Sequence, residues 1–524
     1  MNLETIRSPL SFIQCFIADE DKVTVLKEYQ SWWRAEGMSI SDAVDRAGTP
    51  HLRMFDRFGR RRDEILFPPD YWRMLRKGYE TGAIWRSLDD DSLSMHYFID
   101  YVTCFFDAGL GCPYIVSLST AVPLKKYGSP ELQEKFLPNL LRRDGTNWQG
   151  ATWMTEVKGG SDLGANVETA AERSVPGAVA TGPMLEARTS PSALSAEREL
   201  DLWFLTGDKY FASNVGAELA IVAARPEGVT AVPSVIHAQD AHATASPKGL
   251  ALFLVPRYRQ AGQLNYFIRR LKPKIGTRSV PTGEVELRDS EAYLLGKEEW
   301  GIYLILESLN LSRVGNIVGS VALAQRALAD ALTFAETRVA FGKPIIQHPL
   351  MRRQFDECLA ELQNARALMW AAIELLDEVW QETPPYSNRY HLFRLVTHLA
   401  KYWTAELAVQ FAKWNMEVHG GMGVLAEYSA ERLLREAMIL PIWEGTPHRQ
   451  MLDGLEVMER KRAHEMLFHH LAADADKDEL QKISSRIDEH LQLPAEEKEA
   501  AIEPLFRDLA KFTARSLASH NRLR

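Results

Sequence analysis

Cysteine is scarce in this chain: there are four in 524 residues, Cys15, Cys104, Cys112 and Cys358. None forms a C-x-x-C pair and none stands at metal-ligand spacing from histidine, which sets aside a zinc site. Scattered single cysteines in so long a chain suit reduced, buried thiols and a cytoplasmic protein. Positive charge is not in excess either, since 61 Lys and Arg face 70 Asp and Glu, a net charge of −9. Polyanion binding by the whole surface needs the opposite sign. Only a local basic patch stays open, with Arg60-Arg61-Arg62, Arg53 and Arg57 as the candidate, against the simpler reading of a solvated face. No uninterrupted apolar run reaches the length of a bilayer, and Met1 to Ile17 has no basic segment followed by an apolar one. Neither a membrane span nor a signal peptide is therefore expected. No G-x-G-x-x-G follows a strand, so the usual dinucleotide-binding fold is not supported.

What is present is an ordinary globular composition, 46% hydrophobic and 25% charged, and enough chain for about three domains. Residues 1–147 read mainly as helices. Lys22 to Glu36 and Pro69 to Tyr79 carry helical apolar spacing, and Met95 to Phe106 is an aromatic-rich run that suits a buried helix. Ser129 is placed to cap a helix with Pro130 at its first position. Residues 148–292 read as a β-domain, with strands near Leu202–Leu205, Leu219–Ala223, Leu250–Val255 and Gly283–Leu287. Two stretches rich in Ala, Pro, Ser and Thr, 174–199 and 226–247, read as loops inserted between its strands. Residues 293–458 return to long amphipathic helices. Ala324, Leu328, Ala331 and Ala335 make a stripe in the first, and Pro384-Pro385 separates the next two. Residues 459–524 read as a charged helical extension. The order α, then β, then α argues against interleaved βαβ units.

Five short segments carry chemistry. Pro441-Ile442-Trp443-Glu444-Gly445-Thr446 sets one carboxylate between apolar neighbours and a glycine. Poor solvation raises such a carboxyl toward neutrality, where a general base for a weakly acidic C–H works best; the alternative is a surface turn. Met154-Thr155-Glu156-Val157-Lys158-Gly159-Gly160-Ser161-Asp162 offers free N–H groups and hydroxyls to a planar heterocycle, or else is a glycine-rich turn. Gly207-Asp208-Lys209-Tyr210-Phe211-Ala212-Ser213-Asn214 offers a ring and a hydroxyl at a strand end, or is an ordinary amphipathic strand and turn. Arg338-Val339-Ala340-Phe341-Gly342-Lys343 brings a guanidinium suited to a pyrophosphate, or to a helix C-terminus. Glu417-Val418-His419-Gly420-Gly421-Met422-Gly423 allows close backbone approach to a flat ring, or is a helix cap and loop.

Taken together and in this order, the five segments resemble the acyl-CoA dehydrogenase superfamily, over roughly residues 80–458. The resemblance implies an α+β fold: an N-terminal helical domain, a central β-barrel or sandwich, and a C-terminal four-helix bundle, here with a helical extension. It implies FAD, an acyl-CoA substrate, an electron-transfer flavoprotein as acceptor, and a homotetramer built as a dimer of dimers. It implies that Met154, Thr155, Gly160 and Ser161 line the flavin and that Thr446 lies beside it. Phe211 stands for the more usual Trp, and Ser213 for the usual Thr near N5. Arg338 and Phe341 would reach FAD across the subunit interface, with Gly420 and Gly421 near its adenosine and Glu417 where the family often has Gln. Glu444 matches the base that removes the α proton while the β hydrogen leaves as hydride, and Arg313 matches an arginine near it. The other base position known in the family is Ser312 here.

Leu52 to Arg61, Phe67-Pro68-Pro69-Asp70-Tyr71, the flavin loop without Pro after Glu156, and Gln347-His348-Pro349-Leu350-Met351-Arg352 look like the AidB branch. That branch implies a second reading, a DNA-associated flavoprotein of the alkylation response with weak dehydrogenase activity. Its DNA-binding region is basic, whereas residues 459–524 mix both signs. DNA is therefore the less favoured partner.

Overall fold

The architecture is that of a computed structural model, which describes residues 3–163, 166–174, 201–227 and 249–520. Helices come first, then a sheet, then helices again. In the first block Glu20–Trp32 is capped by Asp19, whose carboxylate accepts from the Asp21 and Lys22 N–H groups. It runs through a wide turn at Trp33–Gly37 into Met38–Ala47. Tyr71–Thr81 and Ser94–Phe106 form as the spacing predicts. Ser129 caps Pro130–Leu140 by accepting from the Leu132 N–H, with Pro130 in the first turn.

One element departs from the all-helical reading of this block. His51–Phe55 (β1) and Arg61–Leu66 (β2) form an antiparallel hairpin. Asp56 makes its turn by accepting from the Phe58 and Arg60 N–H groups. The alternation in His51-Leu52-Arg53-Met54-Phe55 was the available signal, masked by the charged tip. The hairpin docks on the barrel, where buried Asp63 accepts from the Ile268 N–H at 2.8 Å and Arg61 donates to the Ile268 carbonyl at 3.0 Å. The arginine run is therefore no uniform patch. Arg61 points inward onto Asp63 and Arg53 pairs with Glu64.

The sheet comprises β3 (Gly150–Trp153), β4 (Ala170–Arg173), β5 (Leu202–Ser213), β6 (Leu219–Pro226), β7 (Ala251–Pro256), β8 (Tyr266–Leu271) and β9 (Thr282–Leu295). Their order is β3-β6-β4-β5-β9-β7, with β8 on β9. Because β7 pairs with β6 as well as β9, the sheet closes into a barrel. It has its own apolar core, which includes Trp153, Leu205, Val222, Phe253 and Tyr266. β3, β4 and β8 escape the sequence pattern, being short segments of four to six residues. The stretches read as inserted loops lie outside the described residues except at their edges.

The second helical block is built on Gly301–Thr337, which packs against Ser94–Phe106, Ala108–Tyr127, Pro349–Val379 and Asn388–His419. The predicted stripe is buried, but so are the helix's other faces. It is long and apolar enough to cross a bilayer, yet 78% of that apolar window is covered by protein. Pro447–Lys461 packs on Asn388–His419 and completes the bundle. The extension forms helices Ala463–Leu471, Lys477–Leu491 and Ala495–His520 that lie against the bundle. Phe506 fills the space over Gly454, where a Cβ would lie 2.4 Å from its ring.

Candidate active site

The Pro441–Thr446 segment is a tight turn between the helices Ser429–Ala437 and Pro447–Lys461. Glu444 sits in the left-handed region at φ 58°, and Gly445 follows at φ 100°. A non-glycine residue pays strain for that conformation, so the turn has to be held from outside. Four side chains hold it. Asn316 donates to the Leu440 carbonyl at 3.1 Å, and Arg313 Nε to the Glu444 carbonyl at 3.2 Å. Gln450 Nε2 donates to the Glu444 and Gly445 carbonyls, both at 3.0 Å. Lys401 Nζ donates to the Pro441 carbonyl at 2.8 Å and the Gly445 carbonyl at 2.6 Å. The Glu444 N–H, by contrast, donates to no backbone carbonyl among the described residues.

Some of the Glu444 residue is open to solvent, but its carboxyl is enclosed by protein. Burial raises that carboxyl to about 7, against the pull of Arg313 and Lys401. The apolar neighbours in the sequence predict this direction, and the two cations that oppose it, Arg313 and Lys401, come from distant helices. Arg313 is kept in place by Asn310 Oδ1 at 2.9 Å and Asp453 at 3.2 Å. Burial alone would raise Asp453, but Arg313, His398 and Arg449 hold it down at about 2. It therefore stays a fixed anion beneath the arginine. Thr446 caps the following helix without spending its hydroxyl on the cap.

The flavin-loop candidates lie at the mouth of the barrel. Met154 is buried while Thr155, Gly160 and Ser161 are partly or fully exposed. Glu156 is the loop's internal anchor. Its carboxylate accepts from Lys209 Nζ at 2.5 Å, Thr169 Oγ1 at 2.6 Å and the Glu168 N–H at 2.7 Å. Lys209 is fully buried and also donates to the Ala223 carbonyl. Phe211, half exposed, and Ser213 end β5. Cys112, on the buried helix Ala108–Tyr127, has its thiol pushed up to about 12 by burial.

The remaining candidates gather elsewhere. Arg338 follows the end of its helix. Phe341 and Gly342, both at positive φ, turn a two-residue hairpin that leaves Phe341 96% exposed. Phe334 stacks on His419 at 4.2 Å, so Gly420 and Gly421 lie at this same end. Glu417 pairs with Lys413 on the surface. The 25 residues from Arg313 to Arg338 span about 37 Å of helix. One chain therefore does not bring Arg338, Phe341, Glu417, Gly420 and Gly421 to its own Glu444.

Do these residues fit a dinucleotide cofactor? A Cβ placed on Gly160, Gly420 or Gly421 meets no atom within 4 Å, so a flat ring has backbone to approach. The hydroxyls of Thr155, Ser161 and Ser213 and the exposed guanidinium of Arg338 supply donors for a pyrimidine ring and a pyrophosphate. The donor set fits. No group of three or more metal-ligating side chains occurs among the described residues. Lys401 and Asn316 escape the sequence reading, and Lys209 stands in a chemistry-bearing segment without a role of its own, because their partners are remote in the chain; Gln450 escapes it although the carbonyls it holds are only five and six residues away.

Comparison with known proteins agrees with this geometry. Residues 299–458 match the acyl-CoA dehydrogenase C-terminal domain, and residues 7–145 match the N-terminal domain of the adaptive response protein AidB. The chain is 28% identical to the putative acyl-CoA dehydrogenase AidB of Escherichia coli, over 86% of this chain and 76% of that protein. It is 27% identical to acyl-CoA dehydrogenase family member 11 of Caenorhabditis elegans, over 90% of this chain and 72% of the relative. The apo form of Bd2924 superposes with a TM-score of 0.83 at 26% identity, covering 100% of this chain and 96% of that one. The chain belongs to the acyl-CoA dehydrogenase superfamily, a family of oxidoreductases, in its AidB-like branch. The predicted α+β fold is the one observed.

Proposed function

We propose that this protein is an FAD-dependent acyl-CoA dehydrogenase that desaturates an acyl-CoA thioester between its α and β carbons. The observation that carries this reading is Glu444, a carboxyl raised to about 7 and held in a strained turn by three helices. A base of that strength at neutral pH is what an α C–H needs. Arg313 and Gln450 fix the Glu444 carbonyl and with it the course of the turn, and the Glu444 N–H, in the preceding peptide, would polarise the thioester oxygen. The Glu444 carboxylate takes the α proton. The β hydrogen would leave with its electron pair to bound FAD, which would supply the redox chemistry, with an electron-transfer flavoprotein as the onward acceptor. Ser213 and Phe211 at the end of β5, and Thr155 and Ser161 in the loop anchored by Glu156, would hold its ring.

We assign Arg338 and Phe341 to the cofactor of a neighbouring copy, because their distance from Glu444 exceeds what one chain bridges. That arrangement asks for a dimer at least and suits the family's dimer of dimers. Arg338→Ala is expected to weaken FAD retention about tenfold or more, the effect of losing one charged contact. The ratio of flavin to protein absorbance after gel filtration checks it, and unchanged occupancy would refute the role. DNA association is not favoured, since residues 459–524 carry thirteen acidic and twelve basic residues.

The deciding experiment is an anaerobic titration with straight, branched and aromatic acyl-CoAs, following the flavin band. Rapid bleaching by one class is expected. A flavin that dithionite reduces and no acyl-CoA does would refute the reading.

A further inference from the structure

Lys401 has an unusual position for a lysine. It is 1% exposed, in the middle of the helix Asn388–His419, and forms no ion pair among the described residues. Its two hydrogen bonds go to neutral carbonyls, those of Pro441 and Gly445, at the two ends of the turn that carries Glu444. A buried ammonium with only carbonyl partners is costly unless an anion lies close. Asp453, the strongest anion nearby, is already taken by Arg313 and Arg449. Glu444 is the leading opposite charge that Lys401 feels, ahead of Glu406. Lys401 in turn is, with Arg313, one of the two cations that Glu444 feels.

We propose that Lys401 is a positioning residue for the Glu444 base. Its ammonium ties the two ends of the strained turn together and supplies the positive charge that the buried carboxylate faces. This rests on Glu444 being the base. The two functions come from one atom. Nζ bridges the Pro441 and Gly445 carbonyls and so closes the loop that forces Glu444 into the left-handed conformation. Arg313 cannot replace it, because the guanidinium is shared with Asp453 and reaches only the Glu444 carbonyl. Burial pushes the Lys401 ammonium down to about 7 and the Glu444 carboxyl up to about 7, and each partly restores the other's charge, so Lys401 itself titrates near neutrality and carries its charge on the acidic limb. The other titratable groups around the pair are His398 and Arg394 on the Lys401 helix, Arg449 and Asp453 on Pro447–Lys461, and Cys112 on Ala108–Tyr127. His398 is held neutral by burial, and Cys112 is pushed up to about 12, so neither changes charge near pH 7.

The test compares wild type, Lys401→Met and Lys401→Arg as FAD-loaded enzymes. The pH profile of the rate of acyl-CoA-driven flavin reduction is the first readout. Without the cation the carboxyl holds its proton more tightly, so the acidic limb in Lys401→Met is expected to move up by about one pH unit. The rate at pH 7, on the limb itself, falls about fivefold with it, and about tenfold well below the limb. Lys401→Arg keeps the charge and should keep the limb. A rate lowered equally at every pH, with the limb in place, would overturn the proposal. Lys401→Gln carries the same test if the methionine variant does not fold.

A second readout needs no substrate. The stability difference between wild type and Glu444→Gln grows from about pH 4.5 and levels off at the folded-state pKa of Glu444. That levelling point is expected to shift upward when Lys401 is replaced by Met, and an unmoved point would overturn the clamp. If wild type is reduced by no acyl-CoA, the functional reading fails while this readout still decides the pairing.

Discussion

Glu444→Gln is expected to keep FAD and to slow its reduction by acyl-CoA about a thousandfold or more. The amide keeps the size and the turn but accepts no proton, so it removes general-base catalysis as a whole. Anaerobic stopped-flow bleaching measures the effect, and full activity in the variant would remove Glu444 from the mechanism. The same substitution should raise stability at high pH. The Glu444 carboxyl has its folded-state pKa raised from 4.5 to about 7. The protonated form is therefore favoured by folding, and its stabilising contribution is present below pH 4.5 and lost as pH rises through 7. Above that pH the wild type holds a poorly solvated anion at a cost of up to about 3 kcal/mol, which glutamine does not bear. Urea midpoints of the two proteins should differ far more at pH 8.5 than at pH 5.

Lys209→Met is expected to destabilise the protein by roughly 3–5 kcal/mol, because it leaves the Glu156 carboxylate buried without its cation. Glu156 fastens Thr155 to Asp162 against β4 and β5, through Lys209, Thr169 and the Glu168 N–H. Loss of the pair should thus also loosen the loop expected to hold the flavin. Denaturant unfolding and flavin occupancy are both expected to fall. Adding Glu156→Gln to Lys209→Met should recover part of the stability, since the uncompensated charge is then gone. A single variant as stable as wild type would show that the pair is no strut.

Much of the site was legible because its signals are local. The Glu444 turn shows itself in six consecutive residues, where apolar neighbours, a carboxylate and a glycine are contiguous. Ser129 and Pro130 mark their helix within two residues, and the Met95–Phe106 run could hardly be anything but buried. The β1–β2 hairpin was missed although its alternation is visible, because a charged tip and a flanking helical pattern outweighed five residues. The short strands β3, β4 and β8 were missed for a related reason: four to six residues carry too little period to separate from loop.

The sequence by itself determined the order of the helical and β blocks, the acidic residue of the Glu444 turn, and the glycines and hydroxyls suited to a flat cofactor. These depend on side-chain period and on backbone sterics, which act over about one or two turns of chain. Only the tertiary structure decided what surrounds them. Lys401 meets its carbonyl partners across 40 and 44 residues, Lys209 meets Glu156 across 53, and Arg313 meets the Glu444 carbonyl across 131. It also decided that Arg338 and Phe341 stand a bundle's length from Glu444 of their own chain. Burial sets the proton affinity of Glu444, and burial is the sum of everything packed around a group. Helices brought in from other parts of the chain create that environment.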